Sequence, residues 1–506
     1  MAKKVSIVGA GMAGLTAASH LAQQGHEVIL FDRARYPGGA AGYYRYKNIA
    51  YPTGATISFG LESDGPLRRV LQSAGIVLEP QSVEQTMDVV LEDRTIHVYG
   101  ERMAWRSELR SVFPERADAV LRFWDHLALI ADIVYRISKS RASLPIRRIV
   151  DLGSLPAQIL RDPLAFTKLF REQTWTVLDA LRKYGLEDYA PFVRFLNAQL
   201  LDAAQVDVSL AAWLPASVAL DIYRFGIYAV QGELGGLAQT VYDHLLQRGV
   251  TIKSLTTIVR VEQEHSQGAW RLLTSKNETF LVDAIINATG QPIPGGPEKS
   301  FFSKPTAQEP AWGAVRLDVT VLSSWLDNLD LPINHRKQPF AWQIANDAAI
   351  GDLVADPHGA VYVTSHPECY PLEMDGTLTQ QVISISMHTP TDLWMTLPVD
   401  EYQAKKEAVR QAIIARVERF LPGFEKAIIT QRLGTPKTYY RYLQKSVVGG
   451  TPLTVRTSLK QPIGARTKAK GYYIAGDAVF PGPGTLSAAL SGYFAARAID
   501  PQVVRW

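Results

Sequence analysis

The chain has 506 residues, 47% of them apolar and 20% charged, with a formal net charge of +4. That length exceeds one simple domain, and the balance is that of a well-cored globular protein; it excludes disorder, fibrous repeats and a nucleic-acid partner. A single cysteine, Cys369, rules out an intramolecular disulfide and any cysteine-built metal or iron–sulfur site.

The N-terminus passes from Met1-Ala2-Lys3-Lys4 directly into Val5-Ser6-Ile7-Val8, a run with the profile of a buried parallel strand. It breaks into glycines after four residues, too soon for a secretory leader. No stretch of ~20 apolar residues lacks a charge, so no spanning helix is expected. The nearest case, residues 210–230, contains Pro215, Asp221 and Arg224 and reads as a buried helix. A cytoplasmic protein is expected, peripheral at the inner face of the membrane.

Gly9-Ala10-Gly11-Met12-Ala13-Gly14 follows the first strand, and residues 15–22 continue as a helix that Gly25 ends. Val28-Ile29-Leu30-Phe31 forms a second strand, which stops at Asp32. Each glycine has a physical reason. Gly9 permits the tight turn, Gly11 lets the backbone approach a pyrophosphate at the helix N-terminus, and Gly14 lets helix pack on strand. Asp32, eighteen residues past Gly14, can accept both ribose hydroxyls and disfavours a 2′-phosphate. Arg33 and a second glycine cluster, Gly38-Gly39-Ala40-Ala41-Gly42, come next. A nicotinamide dehydrogenase has no special need for it. An extended FAD does, near its pyrophosphate and ribityl chain, so FAD is the expected cofactor.

In the middle of the chain, Gly232 to Leu237 opens an amphipathic helix over 238–247, and residues 250–252 start a strand. Residues 280–286 form another apolar run ending at Asn287-Ala288-Thr289-Gly290, a strand-to-turn signal beside a cofactor. Two insertions remain. Residues 100–225 carry apolar positions at helical spacing and are expected to face substrate or membrane; residues 300–425 alternate like strands, as over 381–387, before a charged helix over 399–420. At the far end, residues 471–475 read as a strand leading to Gly476-Asp477, followed by Pro481-Gly482-Pro483-Gly484-Thr485 and a small-residue helix from Leu486. There Asp477 can bind ribityl hydroxyls, and the helix N-terminus near Thr485 can stabilise negative charge on a reduced flavin.

The fold class is therefore α/β, with a discontinuous Rossmann-type domain (1–99, 226–299 and 426–506), a helical insertion and a mixed-sheet substrate domain. From 431 to 470 there are nine basic residues and no acidic one. That stretch is either a solvated basic face or a docking surface for an anionic membrane.

Taken together, the chain resembles the phytoene desaturase-like carotenoid flavoenzymes, which include bacterial desaturases, carotene isomerases and retinol saturases. The resemblance rests on Gly9 to Gly14 with Asp32 and Gly38-Gly39, on Tyr51-Pro52-Thr53-Gly54-Ala55 and on Gly232 to Leu237. It continues through Ala288-Thr289-Gly290, Gly434-Thr435-Pro436 with Arg441-Tyr442 and Gly449-Gly450, and Gly476-Asp477 to Gly484. It implies FAD contacts at Met12, Ala13, Arg33, Ala40, Gly54, Ala55, Val259 and Leu486 as well. Two positions depart from the family pattern: Ala40 stands where an arginine is usual, and Phe480 where a His-Pro-Gly usually begins. The resemblance implies oxidation or cis–trans isomerisation of an apolar isoprenoid. Two other readings are a flavin oxidase acting on an amine or another lipid, and a prenyl-binding protein of the GDP dissociation inhibitor type. No second glycine fingerprint offers an NAD(P)H site, and no catalytic base emerges; His366 and His388 read as structural or exposed.

Overall fold

The computed structural model describes residues 2–55, 57–264, 268–298, 311–329, 331, 339–367 and 380–503; Cys369 lies outside them. The N-terminal strand Lys4–Val8 is central to a five-stranded parallel sheet. Its order is Tyr472–Ile474, Ala284–Asn287, Lys4–Val8, Glu27–Phe31 and Thr251–Lys253. Strands drawn from both ends and the middle of the chain thus make one surface. The helix Met12–Gln23 packs against the C-terminal helix Thr485–Ile499 so closely that a Cβ on Gly492 would lie 2.0 Å from the Ala13 carbonyl oxygen.

The apolar run at 280–286 is two strands. Thr279–Val282 closes a three-stranded antiparallel sheet with Trp270–Thr274 and Ile258–Gln263, whereas Ala284–Asn287 joins the parallel sheet. Asp283 is the crossing point: its N–H donates to Lys4 O and its carboxylate accepts from Lys4 N, both at 2.8 Å. Hydrophobicity alone conceals such a switch, because both strands are apolar although only Ala284–Asn287 is fully buried.

The substrate domain is a seven-stranded mixed sheet ordered Ile428–Gly434, Trp312–Leu322, Gln380–Pro390, Ala360–His366, Phe340–Ala345, Gln85–Val90 and Thr95–Tyr99. Three of its strands come from outside the span 300–425. The chain crosses between domains several times, and strand pairing, which sequence does not display, decides membership. One face of this sheet is aliphatic (Val315, Leu317, Val319, Ile383, Ile385, Val361, Val363) and packs beneath the charged helix Val399–Phe420. The opposite face carries Arg316, Asp318, Ser384, Thr364, His366 and Gln343, all buried. That face turns toward the nucleotide domain and the helical insertion.

The insertion packs the helices Arg102–Val112, Ala117–Ser138, Val177–Tyr184, Ala190–Ala204 and Trp213–Asp221 around Trp105, Phe113, Phe123, Phe192, Phe195 and Trp213. Residues 210–230 yield the short helix Trp213–Asp221, the 3-10 turn Ile222–Phe225 and then the strand Ile227–Ala229, which pairs with Gln81–Val83. The buried Asp221 is satisfied by Trp124 Nε1 (3.0 Å), Arg224 Nε (3.0 Å) and Arg102 Nη1 (3.1 Å), which explains charges inside so apolar a stretch. Among the described residues no helix is long and apolar enough to cross a membrane.

Candidate functional site

The first glycine loop sits at the C-terminal edge of the parallel sheet. Gly9 has φ +106°, and a Cβ there would stand 2.9 Å from Ala288 O, so both the turn and the neighbouring strand demand glycine. A Cβ on Gly14 would meet Gly9 O at 1.8 Å. Gly11 caps the helix Met12–Gln23 with no side-chain bond, leaving the first-turn N–H groups of Met12, Ala13 and Gly14 for an anion. Asp32 ends the second strand, where its carboxylate accepts from Ala10 N and Ala34 N, each at 2.6 Å. Burial pushes that carboxyl up and the two N–H bonds pull it back.

The second glycine cluster lies directly on the first. Gly38 N donates to Ala10 O at 2.8 Å, and a Cβ on Gly39 would lie 3.2 Å from Gly11 Cα. Thr53 Oγ1 donates to Gly39 O (2.6 Å) and Ala55 N to Ala40 O (2.9 Å), which lays Gly54 and Ala55 beside the cluster. From the substrate sheet, the buried Arg316 donates to Gly54 O at 3.1 Å and to Asp318 at 2.8 Å. Asp318 also accepts from Tyr44 at 2.8 Å.

Ala288 N donates to Val8 O (2.8 Å), placing Ala288, Thr289 and Gly290 against the first loop; Asn287 Oδ1 accepts from Thr289 N and Oγ1. Gly290 in turn faces Lys445 and Asp477. Both Asp477 oxygens accept from Lys445 Nζ, at 2.6 and 2.8 Å, so the aspartate stands here as half of an ion pair. Lys445 was visible in the sequence only as one member of the basic run; nothing local marked it. Gly484 caps the helix Thr485–Ile499, again without a side-chain bond, and Leu486 reaches Gly60 on the segment that follows Gly54 and Ala55.

These contacts bring the expected segments, all but one, against one another. Val259 is the exception: it falls at a bulge in the strand Ile258–Gln263, and its side chain is 39% exposed. Its strand does approach the site, because Thr256 N donates to Asp32 O at 2.8 Å. The cleft fits a dinucleotide on its own geometry. Backbone is bare where Gly476 and Gly484 have nothing within 4 Å of a hypothetical Cβ, two helix N-termini are uncapped, and buried Arg33 Nη1 has no partner among the described residues.

His366 and His388 are both buried, not exposed. His366 bridges Glu233 (2.6 Å) and Ser384 (2.8 Å), tying the nucleotide domain to the substrate sheet. Glu233 holds φ +56° to make that contact. No motif announced this network, because its members are 133 and 18 residues apart. Among the described residues no His, Cys, Asp and Glu group could hold a metal.

Residues 7–74 match the family model described as "NAD(P)-binding Rossmann-like domain". Across 97% of the chain, covering 79% of the relative, the sequence is 25% identical to a chloroplastic prolycopene isomerase from Daucus carota. Across 99% it is 24% identical to a phytoene dehydrogenase from Streptomyces griseus, 96% of which is covered. The chain is thus similar over nearly its whole length to enzymes named as a carotenoid isomerase and a carotenoid dehydrogenase. It is an oxidoreductase of the flavoenzyme type, and the likeness to both relatives runs through the substrate sheet and the helical insertion as well as the nucleotide site. The fold is also found outside these relatives: a putrescine oxidase with putrescine bound superposes with a TM-score of 0.60 at 13% identity, covering 99% of each chain.

Proposed function

We propose that this protein binds FAD non-covalently and uses it to desaturate an isoprenoid polyene or to change its double-bond geometry. The observation that carries the reading is the convergence of four separated segments on one cleft within a chain whose likeness to carotenoid enzymes is end to end. Gly9 to Gly14 and the N-terminus of Met12–Gln23 would hold the pyrophosphate, and Asp32 the adenosine ribose. Gly38 to Ala40, Gly54 and Ala55 would let the extended cofactor lie against bare backbone. Lys445 and Asp477 would meet its ribityl side, and the uncapped helix at Thr485 would favour negative charge there. When bound, the flavin would supply a two-electron acceptor for the hydride that desaturation removes, while the accompanying proton would leave the neighbouring carbon for water.

Membrane contact belongs to this reading, and part of the basic run is already engaged within the protein. There Lys445 pairs with Asp477, Arg466 pairs with Asp151, Lys437 donates to Leu397 O and Arg432 stacks on Tyr46. A better surface is the segment 146–171, where Ile149, Leu160, Leu164 and Phe170 are each at least 75% exposed beside Arg147, Arg148, Arg161 and Arg171. Exposed apolar side chains among arginines suit the interface of an anionic bilayer.

The test is anaerobic incubation of the FAD-loaded protein with phytoene and prolycopene in liposomes, followed by the flavin spectrum and product chromatography. Bleached flavin with a longer chromophore identifies a desaturase; unchanged flavin with a shifted cis/trans ratio identifies an isomerase. If neither occurs with either carotene, the polyene reading is wrong.

A further inference from the structure

A second cavity lies where the helical insertion meets the C-terminal segments, at the far end of the helix whose N-terminus faces the cofactor cleft. It measures about 470 Å³ out to its open mouth and is framed by residues 143–151, residues 464–466 and the last turns of Thr485–Ile499. The seam beside it is tight: a Cβ on Gly464 would lie 2.7 Å from Pro145 Cδ and 2.9 Å from Leu144 O.

Three arginines, Arg147, Arg466 and Arg497, line this space. The frame holds each of them. The buried Arg497 donates to Val150 O at 2.7 Å and to Arg141 O at 3.3 Å. Arg466 Nη1 donates to Asp151 at 2.8 Å, and Arg147 reaches Arg466 O at 3.4 Å. Asp151 is the one carboxylate in the lining, and it is already engaged. Besides Arg466 it accepts from Arg147 N at 3.0 Å and Arg148 N at 2.9 Å. Three guanidinium groups against one satisfied carboxylate leave the cavity positive. Arg466 Nε is also buried with no partner among the described residues. An arginine edge of that kind is the fork that receives two oxygens of a phosphate.

Much of the remaining wall is hydrocarbon. Leu144, Pro145, Phe480 and Phe494 contribute to it, with Phe480 stacked on Phe494 at a centroid distance of 6.1 Å. Phe480 is the residue that stands where a His-Pro-Gly usually begins, so that departure adds apolar surface here. Arg147 lies two residues before Ile149, whose side chain is 88% exposed, and the cavity therefore adjoins the surface suited to a bilayer.

Inorganic phosphate would answer the arginines and leave the aromatic wall in water. A zwitterionic lipid would bring a cation into a positive cavity. A lipid with a net negative headgroup satisfies both walls. We propose that this cavity binds one anionic phospholipid, its phosphate held by Arg147, Arg466 and Arg497 and the base of its acyl chains lying on Phe480 and Phe494. The proposal goes beyond the polyene reading and does not depend on it.

The test is isothermal titration calorimetry of the FAD-loaded, full-length protein with dihexanoylphosphatidylglycerol, dihexanoylphosphatidylcholine and inorganic phosphate, both lipids kept below their micelle concentrations. The phosphatidylglycerol is expected to bind about tenfold or more tightly than either of the others. Arg147→Gln and Arg466→Gln, with flavin content unchanged, should each weaken it about tenfold. A variant carrying Leu164→Asp and Phe170→Asp, altered only on the outer surface, should bind it as the unaltered protein does. Inorganic phosphate binding as tightly as the phosphatidylglycerol overturns the lipid as ligand. Equal affinity for the two lipids, or no binding of the phosphatidylglycerol, overturns the anion site. Binding that survives both arginine substitutions, or that is lost with Leu164 and Phe170, overturns its placement in this cavity. Should Arg466→Gln fail to fold because Asp151 loses a partner, the exposed Arg147→Gln and the comparison of the three ligands still decide. The carotene incubation stands or falls separately, because it reads flavin bleaching and polyene products.

Discussion

Two residues bring out the physical chemistry most sharply. Gly14 has no room for a methyl group, since its Cβ would sit 1.8 Å from Gly9 O. Gly14→Ala must push the helix Met12–Gln23 off the parallel sheet, at a cost of about 1–3 kcal/mol or more. The expected outcome is a variant that purifies with little flavin, read from its visible absorbance per protein. Asp356 is the other. It is buried, and burial raises its carboxyl to about 7 against an unfolded value near 3.8, although Gly359 N donates to it. A carboxyl that holds its proton more tightly when folded loses stability as pH rises from about 4 to about 7, and bears the full cost above 7. Asp356→Asn removes that ionisation. Its stability relative to the unaltered protein should therefore climb through that window and level off above pH 7, reaching about 2–4 kcal/mol in urea titrations.

Among the elements, the contact between Met12–Gln23 and Thr485–Ile499 matters most, because each helix presents an uncapped N-terminus to the same cleft. Gly492 is their point of closest approach, with Ala13 O only 2.0 Å from its would-be Cβ. Gly492→Val should separate the helices, lower the melting temperature and weaken flavin retention together; a lower melting temperature with full flavin would show the two ends of the site to be independent. The pair Glu233 and His366 acts at the same scale, as a buried clamp between the start of the helix Glu233–Gln247 and the substrate sheet. A non-glycine residue at φ +56° persists only where its surroundings hold it.

For the molecule as a whole, the helical insertion has two sides with different tasks. Its aromatic core packs inward against the substrate sheet, while the segment 146–171 turns Leu160, Leu164 and Phe170 outward. Replacing Leu164 and Phe170 by Asp should abolish cosedimentation with anionic liposomes at low salt while leaving the flavin spectrum and melting temperature unchanged. Exposed substitutions cost little folding energy, so a lost fold would mean that these side chains pack rather than dock.

Spacing alone carries the turns of the Rossmann-like domain. Glycine positions and the terminal Asp32 are demanded by local sterics and by short-range geometry, which spacing records directly. Periodicity likewise placed the helix Val399–Phe420 and the strand within Gln380–Pro390. Tertiary structure alone decided the rest. Whether residues 85–99 and 428–434 belong to the substrate sheet depends on strand pairing between distant segments. The pairing of Lys445 with Asp477, the clamp of His366 on Glu233 and the contact of Trp312 with His388 join side chains far apart in sequence. The physical reason is the same in each case: hydrogen bonds and burial act through distance in space, and a single sequence records only distance along the chain.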